Sequence, residues 1–282
     1  MAEAAQKLIA VGTVNNTEYY NEANEHQYRC VSPDASLAIF DVSKNPLQPS
    51  LETCYSNVDA HIGYVHDAQC VSYNGPSVDY QGVNVCILFA SPNIHIFNLD
   101  TLEVINTFTY EHVGYTHQGW LSDDHTTLYV SDELDEILRT TDDTTTATTA
   151  TTPYSRTVIF DISNLDEEPV ESVFTANQTH SSIDHNLYIK EDRMYNANYN
   201  AGARIRQIHP DGTLEEIAYF DTEHTCECVP DYATLTGQAS SESPSCTCDP
   251  FMGVWTHYPY YSNSISTASD IYTGLFVLRT TI

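Results

Sequence analysis

Three histidines stand at matching places in a repeated segment, and this repeat constrains the fold more than any other feature. His66 and His117 are 51 residues apart, whereas His117 and His185 are 68 apart because a Thr-rich insert lies between them. A period of about 50 residues in β-type sequence is typical of propeller blades. The repeated segments read Gly63-Tyr64-Val65-His66-Asp67, Gly114-Tyr115-Thr116-His117-Gln118 and Ser182-Ile183-Asp184-His185-Asn186.

Short β-branched and aromatic runs, bounded by turn residues, accompany each histidine and predict strands joined by tight turns. No stretch shows the sustained 3.6-residue periodicity of a helix, so we expect almost no helix. We predict one all-β domain over residues 1–282, a β-propeller-like array of about five blade units in an incomplete or self-closed ring. The runs are 37–41, 94–98, 157–161 and 204–208, with second runs at 104–110, 170–175 and 214–220.

The charge of the chain is extreme, with 39 acidic residues against 10 basic residues and a formal net charge of −29. A chain with so few cations cannot neutralise phosphates, which excludes a nucleic-acid partner. The same charge argues against docking on anionic lipid and favours divalent cations. No stretch is long and apolar enough to predict membrane insertion.

Eight cysteines, an even number, predict disulfides and an extracellular or cell-surface location. We expect bonds between Cys30 and Cys54 and between Cys70 and Cys86. The other four cysteines lie in a Cys-rich loop at 223–250 and permit three pairings. We favour the nested one because adjacent Cys-x-Cys pairs close strained rings, while a zinc site in this loop stays open. The nested bonds are Cys226 with Cys248 and Cys228 with Cys246.

Two further features predict a glycoprotein. The Thr-rich insert at 140–152 contains nine threonines, so it is either an O-glycosylated segment or a bare flexible loop. Asn15 and Asn177 begin N-glycosylation sequons. The O-linked candidates are Thr144, Thr145, Thr146, Thr148 and Thr149.

The repeated segments resemble those of choice-of-anchor B proteins, also described as LVIVP-repeat proteins. The resemblance covers roughly residues 30–282 and implies a secreted or surface-anchored β-propeller-like domain. The family's domain begins earlier than this chain does, which predicts missing N-terminal blades, and the two inserts are not part of the family's pattern. The segments that carry the resemblance are 66–71, 73–76, 80–82, 115–121, 132–136, 184–188, 195–199, 253–255 with 258–259, and 274–278.

The repeated histidines have two interpretations. Blade starts line a propeller's central channel, where His66, His117 and His185, together with Asp67 and Asp184, could bind a cation. Alternatively, each histidine joins one blade to the next by hydrogen bonds.

The densest acidic cluster also has two interpretations. Asp132, Glu133, Asp135 and Glu136 either form a solvated loop or, if the chain bends there, supply oxygen ligands to Ca²⁺. An extended chain would place Asp132 and Asp135 on opposite faces.

Known catalytic motifs are missing from the sequence, so the first hypothesis is a non-enzymatic, extracellular structural or adhesive propeller. The alternative is a metal-dependent hydrolase or carbohydrate-binding propeller that uses the channel histidines. Trp120 and Trp255 could stack on a sugar, although a core role is the commoner one for tryptophans within blades.

The ends of the array predict self-association. The first segment lacks a histidine-type inner strand and the last lacks a fourth strand, which leaves an open sheet edge. Either the chain's own N-terminal strand closes the last sheet, or a neighbouring copy supplies a strand and forms a homo-oligomer or filament.

Overall fold

The computed structural model describes residues 7–11, 18–20, 26–29, 35–56, 62–138, 155–175, 182–222 and 250–281. The chain divides into two compact units, Met1–Thr109 with Ser163–Glu168, and Tyr110–Ile162 with Pro169–Ile282. The expectation of one domain over 1–282 stays a prediction. Within the described ranges, no helix is long and apolar enough to cross a membrane.

The first unit contains two larger sheets and one hairpin. Its strands are β1 (Lys7–Val11), β2 (Glu18–Tyr20), β3 (His26–Arg29), β4 (Ala35–Asp41), β5 (Ser50–Ser56), β6 (Asp67–Ser72), β7 (Asn84–Ala90), β8 (Asn93–Asn98) and β9 (Glu103–Phe108). The sheets have the orders β1-β4-β5 and β6-β7-β8-β9, and β2 pairs with β3. A core that includes Leu37, Ile39, Leu88 and Phe97 packs between the two larger sheets.

The second unit contains three sheets and one four-residue helix, α1 (Asp135–Leu138). Its strands are β10 (Thr116–Leu121), β11 (Thr127–Asp132), β12 (Arg156–Asp161), β13 (Val170–Thr175), β14 (Asn186–Lys190), β15 (Arg193–Ala197), β16 (Ala203–Ile208), β17 (Leu214–Phe220), β18 (Val254–Tyr258), β19 (Ile265–Asp270) and β20 (Gly274–Arg279). The sheet orders are β10-β11-β12-β13, β14-β15-β16-β17 and β18-β19-β20.

All pairings in these sheets are antiparallel and, in the four-stranded sheets, follow chain order. This meander is the topology of a propeller blade. The fold class, an all-β array of about five blade-like sheets, is therefore confirmed. Helix in the described part of the chain is limited to α1 and one 3₁₀ turn, Val78–Tyr80, as expected.

The histidine repeat is confirmed as a repeat of position. His66 precedes β6, His117 is the second residue of β10, and His185 precedes β14, so each lies at the start of a sheet's first strand. In the last sheet the corresponding position, at the start of the first strand, is occupied by Trp255, the second residue of β18. Both His117 and Trp255 sit in a β-bulge, where the pairing register skips one residue. A bulge redirects the side chain that it carries.

Two sheets have three strands, and each lacks a different member among the described residues. The β4 run corresponds to the third strands β8 and β12, so β1-β4-β5 lacks a first strand. The sheet β18-β19-β20 begins with the Trp255 strand and lacks a fourth strand. Among the described residues, the strands that these two sheets lack are the ones that the sequence predicts to be missing.

One predicted disulfide, between Cys70 and Cys86, is confirmed, and it joins directly paired residues of β6 and β7. Cys54 in β5 is also disulfide-bonded, but Cys30 lies outside the described residues. So do Cys226, Cys228, Cys246 and Cys248. The Thr-rich insert, nearly all of the Cys-rich loop, Asn15 and Asn177 likewise lie outside the described residues.

Candidate metal centre

Two of the repeated histidines and one carboxylate converge in the second unit. One ligand atom each of His117, Glu133 and His185 lies within 4.8 Å of the other two. The Nε2 atom of His117 is 3.5 Å from Oε2 of Glu133, and that of His185 is 3.7 Å from Oε1. Both imidazoles are buried and the Glu133 side chain is 17% exposed. The cluster is therefore enclosed, with access at the carboxylate.

Local backbone features place the three side chains. The bulge at His117 turns this residue out of the regular alternation of β10. Glu133 directly follows β11, and its backbone N–H donates to the carbonyl of Tyr115. His185 is held ahead of β14 by a bond from its backbone N–H to the carbonyl of Ala197. His117 and His185 thus lie at the starts of β10 and β14, the first strands of neighbouring sheets, and Glu133 lies at the end of β11.

Hydrogen bonds determine which nitrogen each imidazole offers. Nδ1 of His117 lies 3.1 Å from the carbonyl oxygen of His185, and Nδ1 of His185 lies 2.7 Å from that of Trp255. A carbonyl oxygen only accepts, so both Nδ1 atoms carry the proton. In a neutral imidazole, Nε2 then presents a lone pair. The Nε2 atoms of both rings face the Glu133 carboxylate, which is itself an acceptor.

The same bonds join the sheets. The imidazole of His117 reaches the start of β14, and that of His185 reaches β18. The Gln118 side chain adds a two-way bond with the backbone of Leu187. The predicted joining of blades by histidines is therefore present, and it leaves Nε2 of each ring directed at Glu133.

Two aromatic side chains surround the cluster. The Tyr199 hydroxyl donates to Oε1 of Glu133 at 2.7 Å, and its ring stacks on His185 with centroids 4.2 Å apart. The Trp255 indole meets His185 edge-on at 4.7 Å and is 49% exposed. This exposure favours the ligand-contacting interpretation of Trp255 over the core one.

Gly253 allows the close approach that positions Tyr199 and Trp255. Its φ is +105°, and an added Cβ would stand 2.3 Å from the carbonyl oxygen of Tyr199. That carbonyl accepts the backbone N–H of Val254 at 3.0 Å. Only glycine combines this backbone conformation with this space.

The rest of the acidic cluster is buried and serves the protein itself. Asp132 accepts five hydrogen bonds, which hold the turn that leads into α1. Asp135 contacts Nε of Arg156 at 2.5 Å, and Glu136 accepts the backbone N–H of Arg156. The chain does bend at this cluster, as a shared Ca²⁺ site would require. The bend directs Glu133 toward the histidines, however, whereas the other three carboxylates bond groups of the protein.

Asp184 lies beside His185 in sequence and points elsewhere. It is fully buried and accepts bonds from Thr157 and Asn196. Burial raises the pKa of Asp184 to about 6, against the lowering effect of Arg206.

His66 and Asp67 belong to the first unit, whereas His117, Glu133 and His185 belong to the second. Burial raises the pKa of Asp67, whose carboxylate accepts the backbone N–H of Ala68.

A second layer of side chains follows the first on the same strands. Trp120, Tyr188 and Tyr258 each stand three residues after His117, His185 and Trp255, about 10 Å further along the strands. Their rings are in contact, with centroids 4.9 Å apart for Trp120 and Tyr188 and 5.6 Å apart for Tyr188 and Tyr258.

Reasoning from the sequence missed Tyr199 and did not pair the histidines with Glu133. The position of Trp255 in the segment 253–255 could have identified it as the fourth member of the repeat, but its residue type differs from the other three.

Comparisons with known proteins identify no family. No family model matches the chain, and no curated protein matches it. Among solved structures, the β-propeller domain of Cps50 (Swd1) from Myceliophteria thermophila matches with 11% identity and a TM-score of 0.47. The match covers 90% of this chain and 66% of that chain, just under two thirds of its length. A likeness of this size says nothing about function.

Proposed function

We propose that the protein binds a divalent transition-metal ion at His117, Glu133 and His185 and uses it for hydrolysis. The observation that supports this proposal is that Nε2 of both imidazoles faces the Glu133 carboxylate, while Nδ1 of each imidazole bonds a carbonyl oxygen. Acceptors that face one another repel unless a proton or a cation lies between them. The His–Glu distances of 3.5 and 3.7 Å are close to the about 3.4 Å that separates neighbouring ligands of a tetrahedral zinc ion.

The ligand types favour zinc or another first-row transition metal over Ca²⁺ or Mg²⁺. Ca²⁺ and Mg²⁺ prefer oxygen ligands, whereas two imidazoles and one carboxylate suit Zn²⁺ and Fe²⁺. The Nδ1–H to carbonyl bonds and the Tyr199 hydroxyl are typical of the outer contacts that orient metal ligands.

Three protein ligands leave room for a water molecule and a substrate, as in catalytic zinc sites. A metal ion held by these three residues would lower the pKa of a bound water to about 7, and this water could then act as a nucleophile. The half-exposed indole of Trp255 offers a surface for a substrate with a flat apolar face, such as a sugar ring.

The test is calorimetric titration of chelator-treated protein with ZnCl₂. We expect one equivalent to bind, and we expect His117→Ala, His185→Ala and Glu133→Gln each to weaken binding at least about 100-fold, because each removes a direct ligand. Turnover of nitrophenyl esters, phosphates and glycosides with and without Zn²⁺ then tests the reaction class.

The matched control is His209→Ala. His209 also contacts a glutamate, Glu215, at 3.1 Å, but both side chains are exposed and, among the residues that the structure describes, this pair belongs to no group of metal-ligating side chains. This variant should bind Zn²⁺ like the unaltered protein. Equal binding by His117→Ala and His209→Ala would contradict the proposal.

A second candidate function is that of an extracellular structural or adhesive subunit. It is supported by the Cys70–Cys86 disulfide, since such bonds persist in oxidising compartments. Peptide mapping of natural material without reduction should find the Cys30–Cys54 bond and two bonds within 226–248, and its intact mass should include glycans on the predicted Asn and Thr sites. Free thiols at most of these cysteines, or the mass of the bare chain, would refute this function.

A further inference from the structure

We propose that the open edge of β20 pairs with the β20 edge of a second copy of this chain. The two strands would run antiparallel and join two three-stranded sheets into one six-stranded sheet. No residue of β20 is a ligand of the proposed metal centre.

The sheet composition supports the proposal. Among the described residues, β20 pairs with β19 on one side only, whereas the two other sheets of this unit have a fourth strand after the third. A strand edge presents unpaired N–H and C=O groups that readily accept another strand. Pairing across a two-fold axis is the simplest closed way to satisfy them.

The side chains of β20 alternate between a face that packs inward and a face that is exposed to solvent. Phe276 and Leu278 pack inward on the cluster that contains Val254 and Ala268. Leu275 and Val277 face outward and are each 68% exposed. Edge strands usually carry charges or proline to prevent pairing, and an exposed Leu-x-Val edge lacks this protection.

A cleft of about 230 Å³ lies beside this edge. It runs between the sheets β14–β17 and β18–β20, and apolar side chains dominate its wall. A strand added to β20 would therefore lie beside this cleft, and its inward-facing side chains could contact the apolar wall. The lining includes Ala203, Ile205, Ala218, Phe220, Leu278 and the residues 279–281 that follow β20.

Charge favours β20 as the place where two copies meet. Each copy carries a formal net charge of −29, so most pairs of surfaces would bring carboxylates together. The strand Gly274–Arg279 has no acidic residue and has one cation, Arg279. In a register centred on Val277, Leu275 of one copy lies opposite Arg279 of the other, so that like charges do not meet.

Sedimentation of the full chain in chelator tests the proposal. We expect a concentration-dependent species near twice the 31.6 kDa of one chain. The variant Val277→Lys should raise the dimer dissociation constant at least tenfold. Val170→Lys is the matched control, because Val170 is an exposed valine on the outer strand β13 and is 71% exposed; it should not change the dimer.

A second measurement keeps the proposal testable if lysine disturbs folding. Val277→Cys should form a crosslinked dimer under mild oxidation, and Val170→Cys should not. A single monomeric species at all concentrations would overturn the proposal. A ladder of larger species, an unchanged Val277→Lys dimer or equal crosslinking of both cysteine variants would overturn it as well.

Discussion

At the scale of single residues, the candidate metal centre depends on outer contacts as much as on its three ligands. Tyr199 holds Glu133 by a hydrogen bond and His185 by ring stacking, so one side chain orients two ligands. Its φ of +41° is uncommon for a residue other than glycine, asparagine or aspartate. Backbone of this kind recurs where surrounding contacts impose a conformation that a site needs.

Removing the Tyr199 hydroxyl should weaken metal binding without unfolding the protein. Tyr199→Phe keeps the stacking on His185 and loses the bond to Glu133, so we expect Zn²⁺ affinity to fall about 10- to 100-fold. Calorimetric titration measures the change. Tyr258→Phe, in the second aromatic layer, is the control, and equal affinities for the two variants would contradict the role given to Tyr199.

Stability should depend on pH through His257. This residue is buried, bonds Ser266 through Nε2, and has its pKa lowered by burial to about 4. An unfolded chain binds the proton near pH 6.5, so the contribution of neutral His257 is complete above that pH and is lost as the pH falls toward 4. The loss amounts to about 3 kcal/mol, at about 1.4 kcal/mol per pH unit.

Urea unfolding at several pH values checks this expectation. His257→Gln should show a shallower decline of the unfolding free energy between pH 6.5 and 4 than the unaltered protein. The exposed His209→Gln should decline like the unaltered protein. Parallel curves for the unaltered protein and His257→Gln would exclude the effect.

At the scale of elements, the close approach of Gly253 to Tyr199 is a point where the backbone allows no substitution. Gly253→Ala introduces both an unfavourable φ and a contact with the Tyr199 carbonyl, so we expect a loss of about 2–4 kcal/mol. Gly212→Ala is the control, because φ there is +82° but nothing lies within 4 Å of an added Cβ, and it should lose about 1 kcal/mol. Thermal melting compares the two, and equal losses would mean that the contact relaxes freely.

The strands and their order could be predicted from the sequence because both depend on short-range patterns. The runs at 94–98 and 157–161 alternate with turn residues, and they form the third strands β8 and β12. Likewise, the spacing of Cys70 and Cys86 fits two strands that pair directly.

The site could be predicted only in part. The repeat identified His117 and His185, but it did not identify the acid that faces them. That acid is set by the turn after β11, which directs Glu133 toward the imidazoles and Asp132 toward backbone N–H groups. The partner of Asp135 is Arg156, 21 residues further on and beyond the Thr-rich insert. Contacts of this kind are set by packing between elements, which spacing along the chain does not encode.

At the scale of the whole molecule, net charge should oppose the folded state. A compact chain of −29 repels itself more than an unfolded one does, and salt screens this repulsion. Raising NaCl from 0.01 to 0.3 M should increase the melting temperature by about 3–6 °C, equivalent to 1–2 kcal/mol. Sucrose of equal osmolality separates screening from solute exclusion, and a melting temperature that does not respond to NaCl would contradict the expectation.

The equivalent bulges at His117 and Trp255 allow the side chain at this position to be exchanged by a single substitution. The same backbone device presents an imidazole in one sheet and an indole in another, so the occupant can change while the strand pairing stays the same. Trp255→His would place a further imidazole beside His185, and the reverse exchange at His117 would remove one. In these two sheets of the second unit, the number of imidazoles beside the metal centre could therefore be changed without altering the strand pairing.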